Sequence, residues 1–245
     1  MEKVSLILTT YNCKDNLRKT FESIEKQDYV DVEVVIKDGQ SEDGTIDVIR
    51  EYEKRSRYSV IWESKKDTGI YDAMNQGYAL STGNIVVFFN DVFVDKSAVR
   101  KMVELICKNM CVGAHADLVY SNNGRIIRRW HMGQGNIKQG WMPGHPTLFL
   151  KREVYEKYGL YDTSFKIAAD YEFMIRFLKD RNNQLAYLPE TIISMFYGGT
   201  SSGGVKNYLI SLKEGHRALK INKIRRASLV DIKRTIRVLL QFVTK

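Results

Sequence analysis

Polar residues that could hydrogen-bond a nucleotide follow three apolar stretches of the sequence, at residues 9–12, 38–43 and 90–91. Their hydroxyl, amide and carboxylate groups would meet if the apolar stretches were parallel strands. Ligands of open α/β sheets bind beyond the carboxyl ends of such strands. The alternative is that these are ordinary polar loop residues, because Asp38 and Gly39 make a good turn pair by themselves.

Alternating strand and helix patterns in the first half of the chain would position these residues. Apolar runs predict strands at 4–9, 31–36, 58–62 and 84–89, and helical spacing of apolar residues predicts helices at 14–27, 43–54, 69–80 and 96–109. This order favours an α/β fold with a mainly parallel, doubly wound sheet flanked by helices.

The second half of the chain has a different pattern. Asn123 and Gly124 lie between apolar runs at 118–120 and 125–130, and Asn-Gly in that context predicts a β-hairpin. A further short strand is predicted at 147–150. Helices are predicted at 168–179 and 206–219, the second of them after a flexible loop at 201–204.

Length and composition indicate one large α/β domain with a small appendage. The chain has 245 residues, of which 44% are hydrophobic and 27% charged, as in ordinary globular proteins. Three cysteines, Cys13, Cys107 and Cys111, give no paired framework and favour a reducing compartment, while no ligand set completes a zinc site around them. With no secretory leader and no bilayer-spanning run in the pattern, we expect a cytoplasmic protein.

The net charge of +9 is concentrated at the C-terminus. Residues 217–245 contain nine Lys or Arg and a single acid, Asp231, so the rest of the chain is nearly neutral. A basic terminal segment favours an anionic surface. The near-neutral body and the lack of an aromatic–basic repeat argue against nucleic acid as a partner.

Five sequence blocks carry a resemblance to a known family. They are TTYN at 9–12, DGQSEDGT at 38–45, DTGIYDAMNQG at 67–77, MPGHPT at 142–147 and KIAADYE at 166–172. In this order and spacing they resemble the family 2 glycosyltransferases of the GT-A fold, especially bacterial enzymes of O-antigen and capsule synthesis. The similarity covers about residues 3–200. It implies a GT-A catalytic domain at 1–215 and leaves a basic, amphipathic helical tail at 216–245.

The resemblance also implies a set of donor-binding residues. The carboxylate of Asp38 would accept the N3–H of uracil, and Asp67 and Asn75 would contact the ribose and diphosphate. The full set of implied donor contacts is Thr9, Thr10, Tyr11, Asp38, Asp67, Asn75, Asn90 and Asp91. Asp38 could instead form only an Asx-turn, and the acids near the third helix, Asp72 above all, could simply favour its dipole.

Asp170 is the implied catalytic base of an inverting transfer. An acceptor hydroxyl that attacks an anomeric carbon must lose its proton as the new bond forms, and a carboxylate within hydrogen-bond reach can take that proton. The alternative is an acid that stabilises a helix N-terminus. Glu172, two residues later, is a possible leaving-group or acceptor contact.

The sequence departs from the family at its metal motif. Relatives usually end the fourth strand with Asn-Ser-Asp-Asp, whose acids position a divalent cation, whereas this chain has Asn90, Asp91, Val92 and Phe93. Asp91 alone, with the diphosphate and waters, could hold Mg²⁺ or Mn²⁺. Transfer could instead be metal-free, with His145, Arg128 or Arg129 stabilising the leaving phosphate, or the protein could only bind. His145 could equally be a packing residue, and Asp95 is predicted to cap the next helix.

The C-terminal tail has an apolar stripe at helical spacing, formed by Leu229, Ile232, Ile236, Leu239 and Val243. The cations beside it are Arg225, Arg226, Lys233, Arg234 and Arg237. This pattern is typical of a helix that lies in an anionic membrane surface. The alternative is that the stripe packs on the catalytic domain or on a partner protomer.

Together these features predict an inverting glycosyltransferase that uses a UDP-sugar. The resemblance implies that it extends a lipid-diphosphate-linked glycan in surface polysaccharide synthesis, bound peripherally to the inner face of the cytoplasmic membrane. The competing hypothesis is a catalytically inactive GT-A domain that acts as a membrane-associated binding or scaffold protein.

Overall fold

The computed structural model describes residues 1–122, 124–196 and 204–240. Within them the strands are β1 Val4–Thr10, β2 Val32–Asp38, β3 Ser59–Ser64, β4 Ile85–Phe88, β5 Val92–Phe93, β6 Gly113–Asn122, β7 Arg125–Trp130, β8 Phe149–Lys151 and β9 Leu185–Phe196. The α-helices are α1 Lys14–Glu25, α2 Thr45–Arg55, α3 Ile70–Leu80, α4 Ala98–Asn109, α5 Arg152–Tyr158, α6 Ala169–Leu178, α7 Gly204–Ile221 and α8 Ala227–Leu240. Short 3-10 turns occur at Ile137–Gln139 and His145–Thr147.

All strands join one mixed sheet with the order β3-β2-β1-β4-β8-β6-β9-β5, and β7 pairs with β6. The pairs β3–β2, β2–β1, β1–β4 and β6–β9 are parallel. Because β8 is antiparallel to both β4 and β6, those two strands run in the same direction. The predicted α/β fold with a mainly parallel sheet is therefore confirmed, and the carboxyl ends of β1, β2, β4, β6 and β9 lie along one edge of the sheet.

Alternation along the buried strands divides the core between the two faces of the sheet. Leu6 and Leu8 of β1 face α1, α2 and α4, whereas Ile7 faces α3 and the helices of the second half. In the central strands β1, β2 and β4, side chains on both faces are buried. The sequences of these strands are therefore largely apolar along their length and do not alternate between apolar and polar residues.

Several element boundaries differ from the sequence-based prediction. The fourth helix begins at Ala98 rather than near Lys96, and Asp95 lies just outside it, accepting a hydrogen bond from the Ser97 amide at 2.9 Å. The strand predicted at 147–150 begins at Phe149, after a 3-10 turn. The predicted hairpin forms between β6 and β7, although residue 123 at its tip lies outside the described residues.

Three elements have no counterpart in the prediction: α5, β5 and β9. Helix α5 has only 7 residues and β5 only 2, which is too short for a periodic signal. Strand β9 contains Pro189 and Glu190, and its register against β6 shifts beside Asp117, so its apolar residues do not alternate regularly.

The C-terminal helices pack into the second core and do not form a separate tail. Ala218 and Leu219 of α7 and Ala227 and Val230 of α8 are buried in that cluster. The predicted boundary after residue 215 therefore falls inside α7. The loop predicted at 201–204 lies outside the described residues, except for Gly204, where α7 begins.

The structure also corrects the predicted composition of the basic cluster on the last helix. Arg234 is buried, and its guanidinium lies 4.4 Å from the centroid of the Tyr171 ring, so it faces α6 and not the solvent. Leu239 and Val243, which the predicted stripe included, fall outside the described side chains. None of the helices in the described part of the chain combines the length and the hydropathy needed to cross a bilayer.

Candidate active site

Side chains at the ends of β1 and β4 hydrogen-bond each other directly. The Asn90 amide oxygen accepts a hydrogen bond from the Thr9 backbone N–H at 2.9 Å, and its Nδ2 donates to the Thr9 hydroxyl at 2.9 Å. The sequence-predicted groups at these two strand ends are therefore brought together. Both side chains spend part of their hydrogen-bonding capacity on each other, and their contacts with a donor remain predictions.

The Asp38 carboxylate organises the loop that follows β2. It accepts hydrogen bonds from the Thr10 hydroxyl at 2.9 Å, from the Ser41 amide and hydroxyl at 2.9 and 2.6 Å, and from the Ser64 hydroxyl at 2.8 Å. Burial alone would raise the pKa of Asp38, but these donors, Ser41 foremost, hold it below its ordinary value. The four bonds fill the acceptor positions of a fully buried carboxylate. A contact with a nucleobase would require Asp38 to exchange one of them.

The side chains of Tyr11 and Asp67 meet over the backbone of Gly39. A Cβ atom at Gly39 would lie 2.8 Å from Asp67 Oδ2 and 3.3 Å from Tyr11 Cδ2, so both side chains approach the bare backbone. Tyr11 is 68% exposed, and the Asp67 carboxylate accepts one hydrogen bond, from the Gly69 amide. Segments following β1, β2 and β3 therefore converge at Gly39, and they bring together two of the predicted donor contacts, Tyr11 and Asp67.

The other acids and amides of the third block have internal partners. Asp72 accepts hydrogen bonds from the Thr68 amide at 2.8 Å and the Thr68 hydroxyl at 3.0 Å, which fixes the start of α3. Asn75 exchanges two hydrogen bonds with the backbone of Tyr161, at 2.9 and 3.1 Å. Asn75 thus ties α3 to the segment before α6, and its predicted contact with the donor finds no support in this geometry.

Lys37 is a buried residue of this region that sequence reasoning missed. Its ammonium group donates hydrogen bonds to the carbonyl oxygens of Asp38, at 2.9 Å, and of Lys65. It thereby links the end of β2 to the loop that carries Asp67. A lysine within an apolar strand gave no signal, because its role depends on two carbonyl groups that approach only in the fold.

Asp170 lies in the first turn of α6, on the same side of the sheet as α3. Its Oδ1 accepts a hydrogen bond from the Tyr71 hydroxyl at 3.0 Å, and the same hydroxyl donates to the carbonyl oxygen of Ile167 at 2.6 Å. No described residue donates a hydrogen bond to Asp170 Oδ2, and the side chain is half-buried. One oxygen is therefore fixed in place and the other remains available to a ligand.

Glu214 positions the chain that leads into Asp170. Its carboxylate accepts hydrogen bonds from the backbone amides of residues 166, 167 and 168, at 2.9, 2.9 and 3.1 Å. These amides precede α6 and have no partners within that helix. Sequence reasoning missed Glu214, because it lies on α7, in a segment without a family block.

The structure corrects the assignment of Glu172. This carboxylate is 3% exposed, pairs with Arg176 at 2.7 Å and accepts a hydrogen bond from Asn222 at 2.9 Å. Two residues along a helix correspond to about 200°, so Asp170 and Glu172 point to nearly opposite sides of α6. Glu172 stabilises the packing of α6 against α7 and has no access to a ligand.

Comparison with known proteins agrees with this geometry. The profile described as Glycosyl transferase family 2 matches residues 5–177. The chain belongs to this family. It is 26% identical over 216 residues to a PGL/p-HBAD biosynthesis glycosyltransferase of Mycobacterium bovis, covering 84% of this chain and 80% of that protein.

Solved structures similar to this glycosyltransferase have the GT-A fold. A structure of S. aureus TarS in complex with UDP-GlcNAc aligns with a TM-score of 0.74 at 16% identity, covering 99% of this chain and 73% of that one. The mannosyltransferase PcManGT from Pyrobaculum calidifontis, in complex with GDP-Man and Mn²⁺, aligns with a TM-score of 0.67 at 16% identity, covering 100% and 76%. Structural similarity at 16% sequence identity establishes the fold of this chain. It does not identify the sugar donor.

The family 2 site has aromatic and basic side chains close to Asp170. His145 Nε2 lies 2.8 Å from the Tyr161 hydroxyl, and burial lowers the pKa of His145 although the charge of Asp170 opposes this. Burial therefore favours the neutral form of the imidazole. Burial raises the pKa of Tyr120, with Arg128 opposing and with Asp91 and Asp170 adding to the rise. Tyr120 thus lies within electrostatic range of both predicted site acids, Asp91 and Asp170.

A protein-held divalent cation does not fit the residues after β4. Burial raises the pKa of Asp91 to about 7, against a hydrogen bond from the Phe196 amide at 3.1 Å. Val92 and Phe93 form β5, and neither side chain offers a ligand atom. Asp95 pairs with Lys101 at 2.7 Å. Within the described residues, no three His, Cys, Asp or Glu side chains come together as a metal site.

Proposed function

We propose that this glycosyltransferase transfers a sugar from a UDP-sugar to a hydroxyl group of a glycan, with inversion at the anomeric carbon and with Asp170 as the base. The observation that carries the proposal is the half-buried Asp170 carboxylate, which has one oxygen held by Tyr71 and the other unengaged by described residues. A carboxylate fixed in this way is suited to accept a proton from a bound hydroxyl.

The reaction forms one bond and breaks one bond at the same carbon. The acceptor oxygen bonds to the anomeric carbon from the side opposite the diphosphate, and the bond from that carbon to the phosphate oxygen breaks. Asp170 receives the hydroxyl proton, and the nucleoside diphosphate leaves with the electron pair. Attack from the opposite side inverts the configuration, so no covalent intermediate on the protein is needed.

The surface around Gly39, between Tyr11 and Asp67, is the proposed site of the nucleoside. The exposed Tyr11 ring could stack on a base, and Asp67 Oδ2 could accept hydrogen bonds from ribose hydroxyls. UDP-GlcNAc binds to TarS, which supports a uridine donor, whereas GDP-Man binds to PcManGT. Because this fold accepts both bases, the donor must be tested directly.

The test is release of nucleoside diphosphate from a panel of UDP- and GDP-sugars, with a lipid-diphosphate glycan acceptor, by the purified full chain. We expect release with one UDP-sugar, a product of inverted anomeric configuration, and a loss of kcat of at least about 100-fold in Asp170→Asn, in line with general-base catalysis. Asp47→Asn is the matched control, because Asp47 is an exposed acid in the first turn of α2. Full turnover in Asp170→Asn would exclude the base assignment.

The replacement of two acids by Val92 and Phe93 favours one alternative, a GT-A domain that binds its ligands without turnover. Calorimetry separates the two functions. UDP binding without release, under any of the donor and acceptor conditions above, would support a binding or scaffold protein.

The exposed face of α8 is the proposed membrane contact. Leu229, Ile232 and Ile236 are 43%, 57% and 51% exposed and lie beside the exposed cations Lys233 and Arg237. Apolar side chains flanked by cations suit the headgroup region of an anionic bilayer, where a lipid-linked acceptor would also lie. The proposed location is therefore the inner face of the cytoplasmic membrane.

Vesicle sedimentation tests this contact. The triple substitution Leu229→Ser, Ile232→Ser and Ile236→Ser should weaken binding to vesicles that contain phosphatidylglycerol about 10-fold or more, since each buried apolar side chain contributes about 1.5–3 kcal/mol. Substituting Tyr208 and Leu209, which are 48% and 59% exposed on α7, is the control. Unchanged sedimentation of the triple variant would contradict the proposal.

A further inference from the structure

The segment that holds a cation in related enzymes has become a strand of the sheet in this chain. Val92 and Phe93 of β5 pair with Ser194 and Ile193 of β9. The Phe93 ring is 6% exposed and stacks on Phe89 with ring centroids 4.0 Å apart. No rotamer change at these positions could supply an oxygen ligand, so two of the usual cation ligands are lost and a protein side chain could supply positive charge to the diphosphate instead.

The sheet places an arginine in line with this segment. Tyr120 of β6 pairs with Arg128 of β7 on one side and with Met195 of β9 on the other. Directly opposed residues of neighbouring strands project from the same face. Val92 pairs with Ser194 in the antiparallel register of β5 and β9, so Asp91, the residue before Val92, falls opposite Met195 and on the face of Tyr120 and Arg128. The Phe196 amide donates a hydrogen bond to Asp91 Oδ1 at 3.1 Å, which agrees with this register.

The Arg128 side chain packs against two aromatic rings of the same sheet face. Its guanidinium carbon lies 4.9 Å from the centroid of the Tyr120 ring and 5.5 Å from that of Trp130. The side chain is half-buried, and burial lowers the pKa of Arg128 although a guanidinium remains charged at neutral pH. A stacked, partly desolvated guanidinium is a strong and rigid donor for phosphate oxygens.

We propose that Arg128 supplies the positive charge for the donor diphosphate that a divalent cation supplies in related enzymes, so that donor binding is independent of metal. This inference rests on the proposed transfer from a nucleoside diphosphate sugar. When the bond to the anomeric carbon breaks, its electron pair stays on the departing diphosphate. The fixed guanidinium stabilises that added negative charge without having to reorganise.

Calorimetric titration of the full chain with UDP and with GDP, in EDTA and in Mg²⁺, tests the inference without relying on turnover. For the nucleotide that binds, we expect Kd values within about 3-fold of each other in the two conditions. Arg128→Ala should raise Kd by roughly 10-fold to 100-fold, because the phosphate oxygens lose hydrogen bonds from a charged donor. Arg128→Lys should recover part of this loss, since it restores the charge without the planar fork.

Arg129→Ala is the matched control, because Arg129 is exposed and the alternation of β7 directs it to the opposite face. Thermal unfolding of each variant confirms that it is folded. Nucleotide binding that requires Mg²⁺, or that Arg128→Ala leaves unchanged, would overturn the inference and leave the proposed transferase standing. Failure of both nucleotides to bind in either condition would overturn both proposals.

Discussion

Asp170 and Glu172 are two residues apart in one sequence block and have different environments. Asp170 is half-buried with one carboxylate oxygen unengaged by described residues, whereas Glu172 is paired with Arg176 and Asn222. Asp38 resembles Glu172 in this respect, because its carboxylate accepts four hydrogen bonds from within the protein. At the scale of the residue, exposure and hydrogen-bond partners separate groups that can bind a ligand from groups that stabilise the fold.

Gly39→Ala should weaken nucleotide binding by about 10-fold with little loss of stability. The added methyl group would lie 2.8 Å from Asp67 Oδ2 and 3.3 Å from Tyr11 Cδ2, so Asp67 must shift and Tyr11 must adjust slightly, which disturbs the proposed nucleoside site. Calorimetry with UDP measures the effect. In an Asp67→Ala background the same substitution should cost less, because contacting residues are not additive. Equal costs in the two backgrounds would show that nucleotide binding does not depend on this contact.

Asp91→Asn should change the pH dependence of stability. The carboxyl pKa rises from an ordinary 3.8 to about 7 in the folded state, so the folded protein binds this proton more tightly than the unfolded chain does. The wild type should therefore lose stability relative to Asp91→Asn as pH rises from about 4 to 7, by up to about 1.4 kcal/mol per pH unit. Urea unfolding at several pH values checks this. Asp47→Asn should run parallel to the wild type, and a parallel Asp91→Asn curve would contradict the prediction.

At the scale of the element, hydrogen bonds and an ion pair of buried polar side chains, at both ends of the strands, stabilise the parallel part of the sheet. At the amino end, the buried Glu33 carboxylate pairs with Lys3 and accepts hydrogen bonds from Ser5 and Thr82. At the carboxyl end, Lys37 links β2 to the loop after β3. These bonds connect β1, β2 and the loops beside them, so they hold in register the strands that lead to Tyr11, Gly39 and Asp67.

Glu33→Gln should destabilise the protein by about 1–3 kcal/mol near pH 7, since it removes a charge that buried donors require. Burial would raise the pKa of Glu33, but bonds from Lys3, Ser5 and Thr82 lower it to about 2. Its contribution is therefore present above pH 4.5 and is lost as pH falls towards 2. Chemical denaturation at pH 7 and at pH 3 should show the gap between the two proteins narrowing in acid. A gap of constant size would exclude this mechanism.

At the scale of the whole molecule, α8 both contributes to the core and carries the proposed membrane contact. Ala227 and Val230 face the second core, while Leu229, Ile232 and Ile236 face outward from the same helix. The two faces of α8 can therefore be tested independently.

Deletion of residues 222–245 should lower Tm by roughly 10 °C or more. It removes Asn222, the partner of Glu172, together with the buried Ile224, Ala227 and Val230. Lost burial of several kcal/mol corresponds to a fall of this size for a chain of this length. Calorimetric melting provides the measurement, with the triple serine variant of the exposed face as the control, expected within about 3 °C of the wild type. An unchanged Tm after deletion would show that α8 does not stabilise the domain.

The sequence by itself determined the α/β class, the family and the candidate residues Tyr11, Asp67 and Asp170, because apolar periodicity and ordered motifs are local properties of the chain. It did not reveal which polar residues lack internal partners. Glu214, Lys37 and Arg128 acquire their positions from neighbours distant in sequence, through backbone amides, carbonyls and rings that meet only after folding. The tertiary structure alone decided that Glu172 and Arg234 are buried and that the altered metal motif is a strand, because burial and pairing depend on long-range packing.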